Sequence, residues 1–428
     1  MEYKNIKTKY PLIFITKENN KPLFISGVID GEDININKGK VSITKESDSR
    51  IFDGCKYQDI CGGCQFMHVN YEYELETKKK YLKSLFNNIK KEIDIIPASD
   101  IYNYRNKCQM NYKLSAKGNI IVGLYEEHSH NIVTVDSCMI QSTKANQTIN
   151  KINEILKKNK ILPYDSKKGV LKNIFIRYGF NSNELMVVFV TSDIIFPGSK
   201  NLVNDLVKSN LGITTIVQNI NPRITPIVLG DKEKVLYGKG YIHEYIDDYK
   251  FKISVNSFFQ INTSMMSVIY NTALENAGLK KTDTIIDAYS GIGTISIFAS
   301  KYVKKVISVE LNKKAVEDAK INAKLNNITN IDFYSNDATK FIVNLANEKI
   351  KIDAIIMDPP REGSTYNFIS SISKLRIPKV IYISCGPDTL KRDLDIFFKF
   401  GYNLNFIKAV DNFPRTQHVE TVCLLTRK

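Results

Sequence analysis

The chain is 428 residues long, 43% hydrophobic and 25% charged, which excludes a largely disordered or fibrous protein and, at roughly 150 residues per domain, leaves room for two or three domains. Its 60 Lys plus Arg against 45 Asp plus Glu give a formal charge of +15, spread along the chain as a polyanion-binding protein would have it, although a coding bias toward Lys, Asn and Ile gives the same count. No apolar run reaches the roughly 18 residues of a membrane span, since the best of them, Leu185 to Phe196, is short and carries Asp193.

The start, MEYKNIKTKYPLIF, shows no small-residue cleavage site behind an apolar stretch, so the expected compartment is the cytoplasm. In a reducing compartment the seven cysteines are candidates for metal ligands, nucleophiles or inert core thiols rather than disulfides. Residues 1–50 hold short β-like runs (Leu12 to Thr16, Leu23 to Val28, Asp33 to Ile36, Lys40 to Ile43) and read as a small all-β module. Cys55, Cys61 and Cys64 then fall within ten residues around Gly62 and Gly63. Three close thiols need a fourth ligand, for which Cys138 is the candidate; four thiolates suit either zinc or an iron–sulfur cluster.

Tyr71 to Lys91 reads as a helix with Leu75, Leu82, Leu85, Phe86 and Ile89 on its apolar side. From 100 to 250, β-rich segments (Lys107 to Leu114, Ile120 to Tyr125, Asn173 to Tyr178, Leu185 to Thr191) mix with a helix near Thr143 to Asn159, an α+β region. Cys108 and Cys423 lie in strand-like apolar stretches and are expected to pack. The expected division is therefore 1–50, 51–250 and 251–428.

From about 280 the pattern becomes regular. Strands Thr284 to Ala288, Lys305 to Glu310, Ile331 to Tyr334, Ile352 to Met357 and Lys379 to Ser384 alternate with amphipathic helices, and Asn403 to Ala409 and Glu420 to Leu425 close the series. This predicts an α/β fold with a mostly parallel sheet covered on both faces, whose ligands sit beyond the carboxyl ends of the strands. Asp287-Ala-Tyr-Ser-Gly291-Ile-Gly293-Thr294 ends the first of these strands, Glu310 ends the second where a ribose diol is commonly held, and Asp337 follows the third within reach of an adenine amino group. Ser296 stands where a dinucleotide fingerprint needs Gly or Ala, so nicotinamide binding is the weaker reading. Together these features resemble the S-adenosylmethionine site of Rossmann-like methyltransferases.

Two more strand ends carry reactive groups. Cys385 follows Lys379-Val-Ile-Tyr-Ile-Ser384 at the start of a helix, where the local dipole is expected to favour its thiolate, and Glu420 stands at the lip of the last strand. The alternative is a packed cysteine and a surface glutamate. Uracil C5 is too poor a nucleophile to take a sulfonium methyl directly, but a thiolate added at C6 makes C5 enolate-like. A base must then remove the C5 proton so that the thiolate can leave. Cys385 and Glu420 supply those two roles.

Asn256-Ser-Phe-Phe-Gln260-Ile-Asn262, Asp287 to Thr294, Asp358-Pro-Pro-Arg-Glu-Gly363, Ser384-Cys385-Gly-Pro387 and His418-Val-Glu420 resemble the RNA uracil-5 methyltransferase family from about residue 51 to the end. The resemblance implies a C-terminal Rossmann-like S-adenosylmethionine-dependent catalytic domain, with Cys385 as nucleophile and Glu420 as base. Around the cofactor it places Gln260, Tyr289, Thr294, Glu310, Asp337 and Asp358, with Asn336 an alternative to Asp337. The family's cytosine-5 relatives carry a further cysteine in the Asp358 motif; its absence here favours uridine. A base inside folded RNA must be extruded to reach the thiol. Phe258 and Phe259 are equally readable as base-stacking and as core residues.

The cysteine knot resembles the [4Fe-4S] site of the branch acting on 23S ribosomal RNA, which implies Cys55, Cys61, Cys64 and Cys138 as ligands and that RNA as partner. Members with the knot begin with a TRAM-type β-barrel. Ser26 to Ile36 resembles only its central part, and 50 residues is short for the barrel. A transfer RNA uracil-5 methyltransferase is the alternative within the class, and a noncatalytic cluster-bearing RNA-binding protein the alternative outside it; the intact Cys385 and Glu420 pair speaks against the latter. The expected state is a monomer on a large RNA, without a membrane.

Overall fold

The computed structural model describes residues 1–428 except 19, 38, 39, 53, 116, 128, 165–168, 226 and 349. Residues 1–50 form two three-stranded antiparallel sheets, Glu2–Tyr3 with Asp33–Asn37 and Lys40–Lys45, and Thr8–Lys9 with Ile13–Glu18 and Lys21–Ile25. Their shared core is Ile6, Ile25, Val28, Ile34 and Ile36. Arg50 closes the module with a fork on buried Glu32, Nε to Oε1 at 2.7 Å and Nη2 to Oε2 at 2.8 Å.

Helix Tyr71–Leu85 starts where the Asn70 side chain accepts the Tyr73 N–H. It stops at Leu85 rather than Lys91, because Phe86 turns inward beside Leu82 and Ile93 and Asn87-Asn88 do not sustain the helix. Its fully buried positions are Glu74, Lys78 and Leu82, one turn apart, whereas Leu75 and Leu85 are only half-buried. The Lys78 ammonium bridges Glu74 Oε1 at 2.7 Å and Asp411 Oδ1 at 2.8 Å with all three side chains out of solvent, and Tyr71 Oη donates to Asp411 Oδ2. Removing the cation leaves Asp411 with only the Tyr71 hydroxyl and Glu74 with Arg415 at 3.5 Å. Lys78→Met is therefore expected to lower the unfolding free energy by about 3–5 kcal/mol, read from urea midpoints; a loss below about 1 kcal/mol would show that the Lys78 bridge does not hold the helix in place.

The central region is a seven-stranded sheet in the order Ile132–Thr134, Ile120–Tyr125, Lys107–Leu114, Leu171–Tyr178, Leu185–Thr191, Ile213–Ile220, Lys232–Tyr237. One face packs on helices Thr143–Lys158 and Ser199–Val207 through Ile149, Ile152, Leu202 and Phe189. The other face, with Phe175, Met186, Val188 and Val217, joins one continuous core with Ile297, Phe298 and Ile381 of the catalytic sheet. That sheet has eight strands in the order Ile331–Ser335, Lys305–Glu310, Thr284–Ala288, Ala354–Met357, Lys379–Ser384, Glu420–Arg427, Tyr402–Val410, Ile95–Ile96. All run parallel except Glu420–Arg427. The expected region 51–250 thus lends this sheet an edge strand as well as helix Tyr71–Leu85, which packs against helix Pro387–Lys399. Cys108 and Cys423 are buried, as packing residues are. Among the described residues no helix is long and apolar enough to cross a membrane.

Candidate active site and cysteine cavity

Parallel strands end on one edge, and the glycine loop is built there. Tyr289 (φ 64°), Gly291 (φ 54°) and Gly293 (φ 81°) all take the left-handed conformation, so the chain reverses tightly before helix Thr294–Ser300. A Cβ on Gly293 would come within 3.1 Å of Ala319 Cβ in a left-handed backbone, so glycine is the residue that fits there without strain. The loop is tied to the next strand by the Glu310 carboxylate, which accepts the N–H groups of Gly291 at 3.0 Å and Asn312 at 2.8 Å. Asp287 is buried beneath it, bonded to Ser296 Oγ, and burial raises its carboxyl to about 7. Ser296, which argues against a dinucleotide fingerprint, thus has a structural partner.

Tyr289 and Asp337 line one cleft of about 570 Å³ beside Glu362, Gly363 and Tyr366, and Asp337 Oδ1 also accepts the Lys340 N–H at 2.9 Å. Thr294 Oγ1 lies 3.2 Å from Tyr270 Oη. Gln260 is placed by the central sheet: Asn106 Nδ2 donates to the Gln260 carbonyl at 2.8 Å and to Thr263 Oγ1 at 2.9 Å. Phe259 is 3% exposed and belongs to the core, while Phe258 is 65% exposed. Of the aromatic pair, only Phe259 is thus a core residue, and Phe258 stands at the surface.

The reactive pair follows from register. Ser384 pairs with Thr421 in antiparallel strands, so Cys385 and Glu420, one residue beyond each, face each other across the sheet edge. Asp358 ends the neighbouring parallel strand, in which Met357 pairs with Tyr382. Three acidic groups thus share a small volume. Burial, then the charge of Asp358, raises Glu420 to about 8, and burial raises Asp358 to about 7. Burial, then Glu420 and Asp358, raises the Cys385 thiol to about 11. This corrects the expectation of a dipole-favoured thiolate: helix Pro387–Lys399 does begin beside Cys385, but desolvation and two carboxyls outweigh its N-terminus.

Three residues of this site were not foreseen from the sequence. The Arg361 guanidinium opposes the upward shifts of both Cys385 and Glu420; its signal was its place inside the Asp358 motif. Asn412 is fully buried and is the neutral group that counters Glu420, yet neither Glu420 oxygen has a partner at hydrogen-bond geometry, and neither end of the Asn412 amide has one. His418 is held neutral down to about 4 by burial and by Arg361.

The four expected ligand cysteines meet around a second cavity, of about 670 Å³. Cys55, Cys61, Cys64 and Cys138 all line it, together with Arg105 and Lys107. A Cβ on Gly62 would lie 3.0 Å from Glu127 Cα, which accounts for a glycine in this turn. The Cys138 segment is fastened to the knot by Asp136, which takes Lys56 Nζ at 2.8 Å and Tyr57 Oη at 2.7 Å, and Asn146 clasps the Cys138 backbone at both ends. Burial, then the neighbouring Cys138 and Cys61, pushes the Cys64 thiol well up. Among the described residues no three His, Cys, Asp or Glu side chains are gathered tightly enough to hold one metal ion. The thiols ring a cavity rather than a point.

A parallel sheet with a glycine loop, an acid at the second strand end and reactive groups farther along the same edge defines an S-adenosylmethionine-dependent methyltransferase. The structure of Pyrococcus abyssi tRNA (uracil-54, C5)-methyltransferase in complex with S-adenosyl-L-homocysteine matches 100% of this chain and 99% of that one, with a TM-score of 0.79 and 25% identity. The family model described as tRNA (uracil-5-)-methyltransferase matches residues 70–428, and the chain belongs to this family of RNA uracil-5 methyltransferases. An RNA methyltransferase of Clostridium tetani is 38% identical, covering 96% of this chain and 93% of its own. One of Staphylococcus aureus is 34% identical, covering 97% and 95%.

Proposed function

We propose that the chain methylates C5 of a uridine in 23S ribosomal RNA, with Cys385 as nucleophile and Glu420 as base. The observation that carries the reading is the Ser384–Thr421 register, which sets a thiol and a carboxyl face to face at the ligand edge of the sheet. Cys385 gives its proton to the neighbouring Asp358, whose carboxyl is raised to about 7, which leaves Glu420 for the later proton. The thiolate adds to C6, C5 acquires the methyl group, Glu420 takes the C5 proton, and the C6–S bond breaks to restore the double bond. S-adenosylmethionine, when bound, supplies the electrophilic sulfonium methyl. Gln260, Tyr289, Thr294, Glu310, Asp337 and Asp358 are the residues that hold it, and Phe258, exposed beside Gln260, is placed to stack on an extruded base.

Cys55, Cys61, Cys64 and Cys138 hold a [4Fe-4S] cluster in this reading. The donor set suits such a group: four thiols line one cavity. The cluster would cross-link the knot to the Cys138 segment. Cys138→Ala is expected to lose the brown absorbance of anaerobically purified protein while Cys108→Ala keeps it; the opposite pattern would overturn the ligand assignment. The knot also supports ribosomal RNA as substrate. A transfer RNA substrate is favoured by the activity named for the Pyrococcus abyssi enzyme.

Labelled methyl transfer to unmodified 23S ribosomal RNA and, separately, to unmodified transfer RNA decides. Label recovered as 5-methyluridine from ribosomal RNA alone is the expected result. Label in transfer RNA alone keeps the chemistry and overturns the substrate, and label in neither overturns both.

A further inference from the structure

Neither Glu420 oxygen meets hydrogen-bond geometry, and Asn412, the neutral group that counters it, belongs to the same loop 411–419, so the carboxylate stands where that loop and its strand put it. The loop is fastened at Arg415. This long side chain stands in the left-handed conformation (φ 70°) and is 2% exposed. Its N–H donates to Glu74 Oε1 at 2.7 Å, its carbonyl accepts the N–H groups of Gln65 and Phe66, both at 3.1 Å, and Nη1 donates to the Val69 carbonyl at 2.8 Å. The guanidinium also lies against the Tyr71 and Tyr102 rings. Two residues on, the Gln417 N–H donates to Gln65 Oε1 at 3.0 Å. A turn alone is served with less strain by glycine. What the arginine adds is a plug driven into the segment that follows Cys64.

We propose that Arg415 is the positioning residue that keeps the Glu420 carboxylate in register with Cys385, by locking the loop 411–419 to residues 65–74. The proposal rests on the reading of Glu420 as base. Because Gln65 and Gln417 both line the cysteine cavity, the lock also joins the wall of that cavity to the base. Arg415 touches neither substrate nor thiol in this role; it acts through the position of Glu420.

Only the step after methyl transfer needs the base, which gives the lock its own signature. Full-length Arg415→Gly keeps the turn and loses the plug. Its turnover is expected to fall by about 10- to 100-fold, the effect of a misplacement of about 1 Å, with KM for the RNA within about threefold of wild type. A methyl-labelled protein–RNA adduct that survives denaturing electrophoresis should accumulate. Gln65→Ala, which cuts the link to Gln417 and a 3.3 Å bond from Gln65 Nε2 to the Gly62 carbonyl but leaves Arg415 in place, should give the same adduct with a smaller fall. Unchanged turnover in folded Arg415→Gly, or a fall without adduct, would overturn the proposal. Should Arg415→Gly not fold, Gln65→Ala decides by the same criteria. If wild type methylates no RNA, the proposed function fails, and this role with it; wild-type turnover with unaffected variants sinks this role alone.

Discussion

Cys385→Ala is expected to lower methyl transfer by at least about 1,000-fold, since loss of a covalent nucleophile leaves only binding and orientation to act on an unactivated C5. Cys385→Ser should fare no better, because a hydroxyl facing two carboxyls is harder still to ionise than the thiol. RNA carrying 5-fluorouridine separates loss of chemistry from loss of binding. Fluorine at C5 cannot leave as a proton, so wild-type protein should remain attached to the RNA through Sγ, while Cys385→Ala should bind the same RNA and release it on denaturation. The thiol, raised to about 11, also predicts slow alkylation of Cys385 by iodoacetamide in the free protein at pH 7, speeding up as pH rises. A Cys385→Ala protein that still makes 5-methyluridine at a tenth of the wild-type rate would refute covalent catalysis.

Glu420→Gln should separate the same reaction at a later point. Addition and methyl transfer proceed, proton removal does not, and turnover falls by about 100- to 10,000-fold while methyl-labelled adduct accumulates. The substitution also carries a stability signature whose sign follows from the raised pKa. A buried carboxyl titrating at about 8 stabilises the folded state fully below its unfolded value, near 4.5, and loses that contribution as pH rises through about 8. Gln cannot ionise. Relative to wild type, Glu420→Gln should therefore gain little at pH 4 and become progressively more stable toward pH 9, visible as a widening difference in Tm. Asp358 titrates with Glu420, so the widening spans both groups. A constant difference across that range would mean that Glu420 is ionised throughout.

The catalytic sheet was legible because buried parallel strands are nearly continuous apolar runs and end in the residues that bind. Thr284–Ala288, Lys305–Glu310 and Lys379–Ser384 stand where the apolar runs put them. The pairing of Cys385 with Glu420 was legible from chemistry, and register explains it. What could not be read was everything that depends on burying charge. Glu74 and Lys78 carry no sign in the sequence that they face inward, since their partner Asp411 lies more than 300 positions away. The resting state of the Cys385 thiol was misjudged for the same reason: a helix start is visible locally, whereas the carboxyls that oppose it arrive from two other strands. The role of Arg415 is a matter of tertiary contacts alone.

The edge strand Ile95–Ile96 and the Tyr71–Asp411 bond have a further consequence during synthesis. Tyr71 and Asp411 are 340 residues apart. At roughly 5–20 residues per second, helix Tyr71–Leu85 spends of the order of half a minute outside the ribosome before the carboxylate that accepts Lys78 exists. All strands of the seven-stranded central sheet are synthesised in that interval, since they lie between Lys107 and Tyr237. The first helix and the last loop are therefore joined only after every strand of the central sheet has been made, and the buried Lys78 waits until then for the Asp411 carboxylate.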